Sequence, residues 1–331
     1  MKHKPPALLK AVVLLSLLLL NGCGFNQFWL LRPAGPIAGE GLRSIIVDVS
    51  AMMLIIGPTT LLLLWCIWRY RRSTGRGNYV PGWSHSLPIE IVSWGFPLAI
   101  VAFLSYYSYR STFRVDPFDP GLMKPGQDAE TDRPPIDIDV VTTDWQWLFI
   151  YPDRHIAVSN QLVVPVHTPI RFRLTSATVP NDFYIPQLSG EIDIMPGMLT
   201  KQGLIANRAG SYQGIAADFS GPGFSWMQFE TRVVSRAAYE QWANDTAKAP
   251  AHLDQAAFDR FAIPTINKTG NVLTFSQVDD RLFERVIQNV MMGRIYPTPP
   301  NMTEKKSSYQ NGRRQPDKAS TESQTPTGMS D

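Results

Sequence analysis

The sequence predicts an α+β membrane protein, built as a two-helix transmembrane hairpin followed by an exported β-sandwich with C-terminal helices. Two uncharged apolar runs, Val49 to Trp68 and Ile91 to Tyr109, match the length needed to cross a hydrocarbon layer of roughly 30 Å. From residue 136 the apolar pattern takes period two, and from 235 it changes to the helical period. Hydrophobic residues make up an ordinary 44% of the 331 residues, but they gather in three N-terminal blocks, which sets this chain apart from an evenly patterned globular protein. The net charge of +3 is too small for a polyanion-binding surface, so no nucleic-acid partner is expected.

The first block, "MKHKPPALLKAVVLLSLLLLNGC", has a basic leader of Lys2, Lys4 and Lys10 and an apolar stretch over residues 11–20 interrupted only by Ser16. That stretch is too short to span a bilayer and has the anatomy of a secretory signal. Its ending, Leu20-Asn21-Gly22-Cys23, resembles the bacterial lipoprotein signal. The resemblance implies removal of residues 1–22 and acylation of Cys23, whose several acyl chains would hold an exported segment, 23–44, at the membrane surface.

Transmembrane helices are expected over 45–68 and 89–110, joined by the loop 69–88. Arg69, Arg71, Arg72 and Arg76 lie in that loop, and no acidic residue follows until Glu90, so the loop belongs in the cytoplasm and both chain ends outside it. Trp65, Trp68, Tyr70, Trp83, Trp94, Tyr106, Tyr107 and Tyr109 are placed as an interfacial aromatic belt. Pro58 and Pro97 fall inside the spans, where a neighbouring helix can satisfy the freed backbone groups, and a partner subunit is therefore expected. In "SHSLPIEIVSW", Ser86 suits the N-cap of the second span and Pro88 its first turn, which puts Glu90 at the cytoplasmic mouth of that helix.

A proline-rich linker over 111–135 leads to the sandwich over 136–234, with strands read in "IDIDVV", "WQWLFIY", "LVVPV", "IRFRL" and "MQFETRVV" and mostly polar outward faces. The chain has only two cysteines, Cys23 and Cys66, so the exported domain is held by burial without disulfides. Residues 235–295 read as three surface-packed helices, the first capped by Ser235, and the tail 296–331 has almost nothing to bury and is expected to be disordered.

The order of these parts, with "DWQWLFIYP" near the start of the sandwich and "SGPGFSWM" near its end, resembles subunit II of the haem-copper respiratory oxidases over residues 20–295. The resemblance is strongest to the ubiquinol oxidases of the cytochrome bo type. It implies a cupredoxin-like sandwich, whose copper-bearing forms hold two ions in a loop of the pattern Cys-Ser-Glu-x-Cys-Gly-x-x-His-x-x-Met plus one earlier histidine. Here Ala216 and Ser220 stand at the cysteines, Asp218 at the glutamate, Gly221 at the glycine, Phe224 at the histidine and Met227 at the methionine, with Asn181 at the earlier histidine. These groups lack the soft thiolate and imidazole donors that copper prefers, so no metal is expected in this chain. His155, His167 and His252 lie elsewhere and read as surface or turn residues.

The resemblance implies further that haems, copper and ubiquinol are bound by subunit I, that cytochrome c is not a partner, and that the complex oxidises ubiquinol, reduces oxygen to water and pumps protons. Trp145 matches a tryptophan that passes electrons to the copper in relatives. With Trp147 it is expected here to pack against the membrane-facing side or subunit I. Glu90 matches a glutamate at the mouth of a proton channel. The implied location is the bacterial inner membrane, with the soluble domain in the periplasm and the bilayer as a second partner. Two other classes stay open: a cytochrome c oxidase-type or membrane-tethered copper carrier, and an envelope lipoprotein with a binding role.

Overall fold

A computed structural model describes residues 28–71, 81–82, 85–113, 134–268 and 270–296. Cys23, the signal segment, nearly all of the linker and residues 297–331 lie outside these.

The hairpin consists of α1 (Pro36–Arg69) and α2 (Leu87–Thr112), both long and apolar enough to cross a membrane. Pro58 and Pro97 lie within them without ending either helix. Ser86 occupies the N-cap of α2 in extended conformation, but its side chain accepts no capping hydrogen bond. α1 starts nine residues before the expected span, at Pro36 rather than 45. The extension is held by the exported domain. The Ala34 amide donates to Gln187 O at 2.7 Å, the Asn207 amide donates to Ala34 O at 2.8 Å, and Ile37 and Ala38 are buried. A helix whose first turn packs on a folded domain continues beyond the apolar run, because burial there replaces lipid as its apolar surrounding.

Among the described residues eleven strands follow in two sheets. One has the order β11 (Thr274–Phe275), β3 (Ile156–Ser159), β2 (Gln146–Tyr151), β1 (Ile136–Thr143), β5 (Ile170–Ser176) and β8 (Thr200–Leu204). The other has β4 (Gln161–Pro165), β10 (Gln228–Val234), β9 (Gly210–Ala216), β6 (Asn181–Tyr184) and β7 (Ile192–Ile194). β1 runs parallel to β5 and β4 parallel to β10, and the other pairings are antiparallel. The parallel pairs tie the first half of the domain to strands read later in the chain.

Between the sheets sits an aromatic core. Phe229 is central, with ring centroids 4.9 Å from Trp147, 5.0 Å from Phe149 and 5.4 Å from Phe183, and tilted and stacked pairs of this kind add to plain area burial. Trp147, Phe149 and Tyr151 face this core, while the alternate residues Leu148 and Ile150 join a second one. That second core is roofed by α4 (Gln255–Phe261) and α5 (Leu282–Met291) through Phe258, Phe261, Leu282, Phe283 and Val286. The expected polar outward face is therefore corrected for β2 and β3, which are buried on both sides because the C-terminal helices cover the sheet. α3 (Arg236–Thr246) is capped by Ser235 as expected, its Oγ accepting from the Ala238 amide at 3.3 Å. The expected tail begins one residue too early: Tyr296 is buried, its ring 5.7 Å from that of Phe258.

Candidate functional site

The loop "AADFSGPGFSWM" joins β9 to β10 and is closed at its base by the Ala216 amide donating to Met227 O at 3.1 Å. Successive bonds from the Phe224, Trp226 and Met227 amides to Gly221 O, Gly223 O and Phe224 O fold its second half into a single 3-10 turn, Phe224–Trp226. Facing it is the hairpin turn between β1 and β2, whose register pairs Thr143 with Gln146 and leaves Asp144 and Trp145 as its two central residues. Two-residue hairpins call for positive φ, which a bulky side chain rarely adopts, and Trp145 has φ 70.

The loop compensates by enclosing the indole. Trp145 is 3% exposed, and its Nε1–H donates to Ser220 O at 3.3 Å. Gly221 and Gly223 lie on the ring: a Cβ at Gly223 would stand 2.2 Å from Trp145 Cδ2, and one at Gly221 3.2 Å from Cζ2. Only glycine lets the backbone approach an aromatic face this closely. One layer deeper, Trp147 Nε1–H donates to Met227 O at 3.4 Å, so both tryptophans of "DWQW" are tied to the loop. The expectation that they pack against the membrane-facing side or another subunit is corrected. They are buried inside the domain, because the hairpin turn points the first indole, and the inward face of β2 the second, at the β9–β10 loop.

The six positions laid over the metal pattern gather at this end of the sandwich. Ala216 and Met227 are buried core members, and Phe224 packs against the core and against Phe219 at 5.7 Å. Asp218 is exposed, its Oδ1 accepting from the Phe219 amide at 2.7 Å. Asn181 is buried, its Nδ2 donating to Val179 O at 3.0 Å and to Thr142 Oγ1 at 3.4 Å, while its Oδ1 and the Ser220 Oγ are buried polar atoms with no hydrogen-bond partner. Two orphan oxygens and one thioether are not a donor set for a dinuclear copper centre, which needs thiolates and imidazoles, and the glycines that would frame such a centre lie against an indole instead.

Beside Asn181, Asp182 pairs with Asp193 across β6 and β7, and Glu191 lies close by. Burial, followed by hydrogen bonding and repulsion from those two carboxyls, pushes Asp182 up to about 7. The histidines stand apart from this end. His155 ends a 3-10 turn with its ring facing Asp280, His167 lies in the turn after β4, and His252 is exposed beside Ser276. Among the described residues no group of three or more His, Cys, Asp or Glu that could hold a metal occurs. Glu90 is exposed in the first turn of α2, far along the chain from the sandwich. The sequence pattern did not single out Gly223. The signal was there in "SGPG", but its meaning depends on Trp145 lying across the loop.

Its relatives place the chain among the oxidase second subunits. Residues 131–234 match the family described as cytochrome c oxidase subunit II, periplasmic domain. Over 286 residues, 86% of this chain and 87% of the relative, it is 37% identical to cytochrome bo(3) ubiquinol oxidase subunit 2 of Pseudomonas putida. It is 38% identical over 281 residues, 85% of the chain and 87% of the relative, to ubiquinol oxidase subunit 2 of Acetobacter aceti. A solved periplasmic domain of cytochrome oxidase subunit II from Bradyrhizobium japonicum aligns at 25% identity over 35% of this chain and 94% of its own, with a TM-score of 0.33. The chain belongs to the ubiquinol oxidase subunit 2 family, and it is a membrane protein with a periplasmic domain and a component of an oxidoreductase complex.

Proposed function

We propose that this chain is the accessory second subunit of a proton-pumping ubiquinol oxidase that oxidises ubiquinol and reduces oxygen to water. The observation that carries the reading is the donor set at this end of the sandwich: Ala216, Ser220, Phe224 and Asn181 stand where copper-bearing relatives place thiolates and imidazoles, so electrons have no metal relay through this subunit. A quinol donor dissolved in the bilayer delivers electrons within the membrane and makes such a relay unnecessary. In this reading subunit I binds the haems, the copper and the quinol. The present chain carries no cofactor, does not dock cytochrome c, supplies two helices to the bundle and caps the exported side.

Three residue roles complete the proposal. Cys23 carries the lipid anchor on the periplasmic side of a bacterial inner membrane. Glu90 stands at the cytoplasmic mouth of α2, where an ionisable group at a membrane boundary can collect protons for a channel in subunit I. Trp145 and Trp147 pack the domain and carry no electrons.

The test is purification of the complex from membranes through a tag on this chain. Co-purifying haem absorbance with ubiquinol-driven oxygen uptake is expected. A chain that brings down no haem protein, or one that carries a redox-active dinuclear copper centre with the spectrum of thiolate and imidazole ligands, removes the reading. In the assembled enzyme, Glu90→Ala is expected to lower turnover, and unchanged turnover would remove the proton-path role. Mass spectrometry of the N-terminus reads out acylation at Cys23.

A further inference from the structure

Residues 134–296 contain five methionines, and four of them come to the surface, two in one turn and two at the end of the helix that packs on it. Met195, Met198, Met291 and Met292 are 39%, 60%, 74% and 76% exposed, whereas the fifth, Met227, is a core residue of the clasp. Met195 and Met198 open and close the turn between β7 and β8, joined by the Met198 amide donating to Met195 O at 3.2 Å. Pro196 and Gly197 fill its centre, and Gly197 has φ 72, the positive value that the third position of a type II turn demands. Such a turn holds its first and last Cα atoms within about 7 Å, so both thioethers leave the same small area.

The C-terminal end of α5 lies on this turn. A Cβ at Gly197 would stand 3.2 Å from Val290 Cγ1 and 3.4 Å from Met291 Cγ, which puts the Met291 side chain over the turn, and Met292 follows it as the C-cap of α5. Segments nearly 100 residues apart in sequence thus deliver thioethers to one spot, each on an unbranched side chain with three rotatable bonds that can turn its sulfur inward. A thioether is soft, uncharged and carries no proton, which suits Cu(I) and disfavours the harder divalent ions.

We propose that Met195, Met198 and Met291, with Met292 as an exchangeable fourth donor, form a thioether site for Cu(I) on the periplasmic domain, distinct from the loop around Trp145. The ion binds and leaves as Cu(I), with no change of oxidation state. Proton competition is absent, so affinity is level across the pH range in which an imidazole site, titrating near 6.5, would weaken.

The test supplies Cu(I), kept reduced by excess ascorbate without oxygen, to the full chain in detergent against a chromogenic Cu(I) chelator. Expected are one Cu(I) per chain, a sulfur-only first shell by X-ray absorption, and equal affinity at pH 6 and pH 8. The double variant Met195→Leu with Met198→Leu keeps the apolar surface and is expected to bind about tenfold more weakly or worse while unfolding at the parent's temperature. Leucine at Met52 and Met53, exposed on α1, leaves binding unchanged. Equal Cu(I) affinity in the parent and the Met195/Met198 variant overturns the site, as does nitrogen or oxygen in the first shell. If the free chain takes up Ag(I) at these methionines but the intact oxidase complex does not, the patch belongs to packing between subunits and the proposal fails.

Discussion

The two helices of the hairpin and the strands of the sandwich carry similar apolar side chains, yet only the strands cover theirs. α1 buries Ile37, Ala38 and Ala51, and α2 buries no residue, whereas every position of β2 is buried. At the exported end polar groups link the two helices, where Ser111 Oγ donates to Glu40 Oε1 at 3.3 Å and stands 3.4 Å from Ser44 Oγ. Lipid tails are as apolar as leucine, so the hairpin gains little by closing on itself and leaves its surface for lipid and neighbouring subunits. The sandwich, surrounded by water, must fill its own interior. Its largest filler beneath the β9–β10 loop is an indole.

Truncating the aromatic core tests this contrast most severely. Trp147→Ala removes a fully buried ring that touches Phe149, Phe183 and Phe229, and is expected to cost about 3–5 kcal/mol in denaturant unfolding of the domain, followed in the full chain in detergent. A loss below 1 kcal/mol would break the picture of a self-filled core. Next comes the clasp. Gly223→Ala forces a methyl into the Trp145 ring and is expected to cost about 1–3 kcal/mol and to shift the Trp145 emission, whereas the same change at Gly190, where a Cβ meets nothing, should do neither.

A smaller effect is expected from Asp182. Its carboxyl titrates near 7 in the folded domain against about 3.9 in an unfolded chain, so folding favours the protonated form. The stabilisation is complete below the unfolded value and is lost as pH rises through about 7. Unfolding midpoints should therefore fall between pH 5 and pH 8, and Asp182→Asn should flatten that fall. A fall of the same size in the variant would place the responsible group elsewhere. The smallest effect belongs to the hairpin: Ser111→Ala removes the interhelical hydrogen bond to Glu40 and is expected to cost about 0.6 kcal/mol, as such bonds do in membranes. A cost above 2 kcal/mol would show that the hairpin is a self-sufficient unit.

Several features could be read before any folding was known, because their signal is local. The two spans follow from runs of uncharged residues, and the Ser235 cap follows from its place before a helical pattern. The replaced ligand positions were visible residue by residue in the β9–β10 loop. The reach of α1 beyond the span was not legible, since it depends on Ala34 bonding to Gln187 and Asn207. Nor was the second core, because Leu148 and Ile150 read as one face of an alternating strand until α4 and α5, more than 100 residues later, supply a roof.

The sequence by itself determined that the chain has two runs long and apolar enough to cross a membrane, that a sandwich follows them, and that the β9–β10 loop lacks the thiolate and imidazole donors of a copper centre. These depend on length, period and residue chemistry, none of which needs a partner. Only the tertiary structure decided what the loop encloses. Trp145 reaches Ser220 across 75 residues of sequence, and the glycines of "SGPG" acquire their purpose from that ring. Which side chain fills a space is set by which strands lie beside one another, and strand neighbours are fixed by the packing of the whole domain.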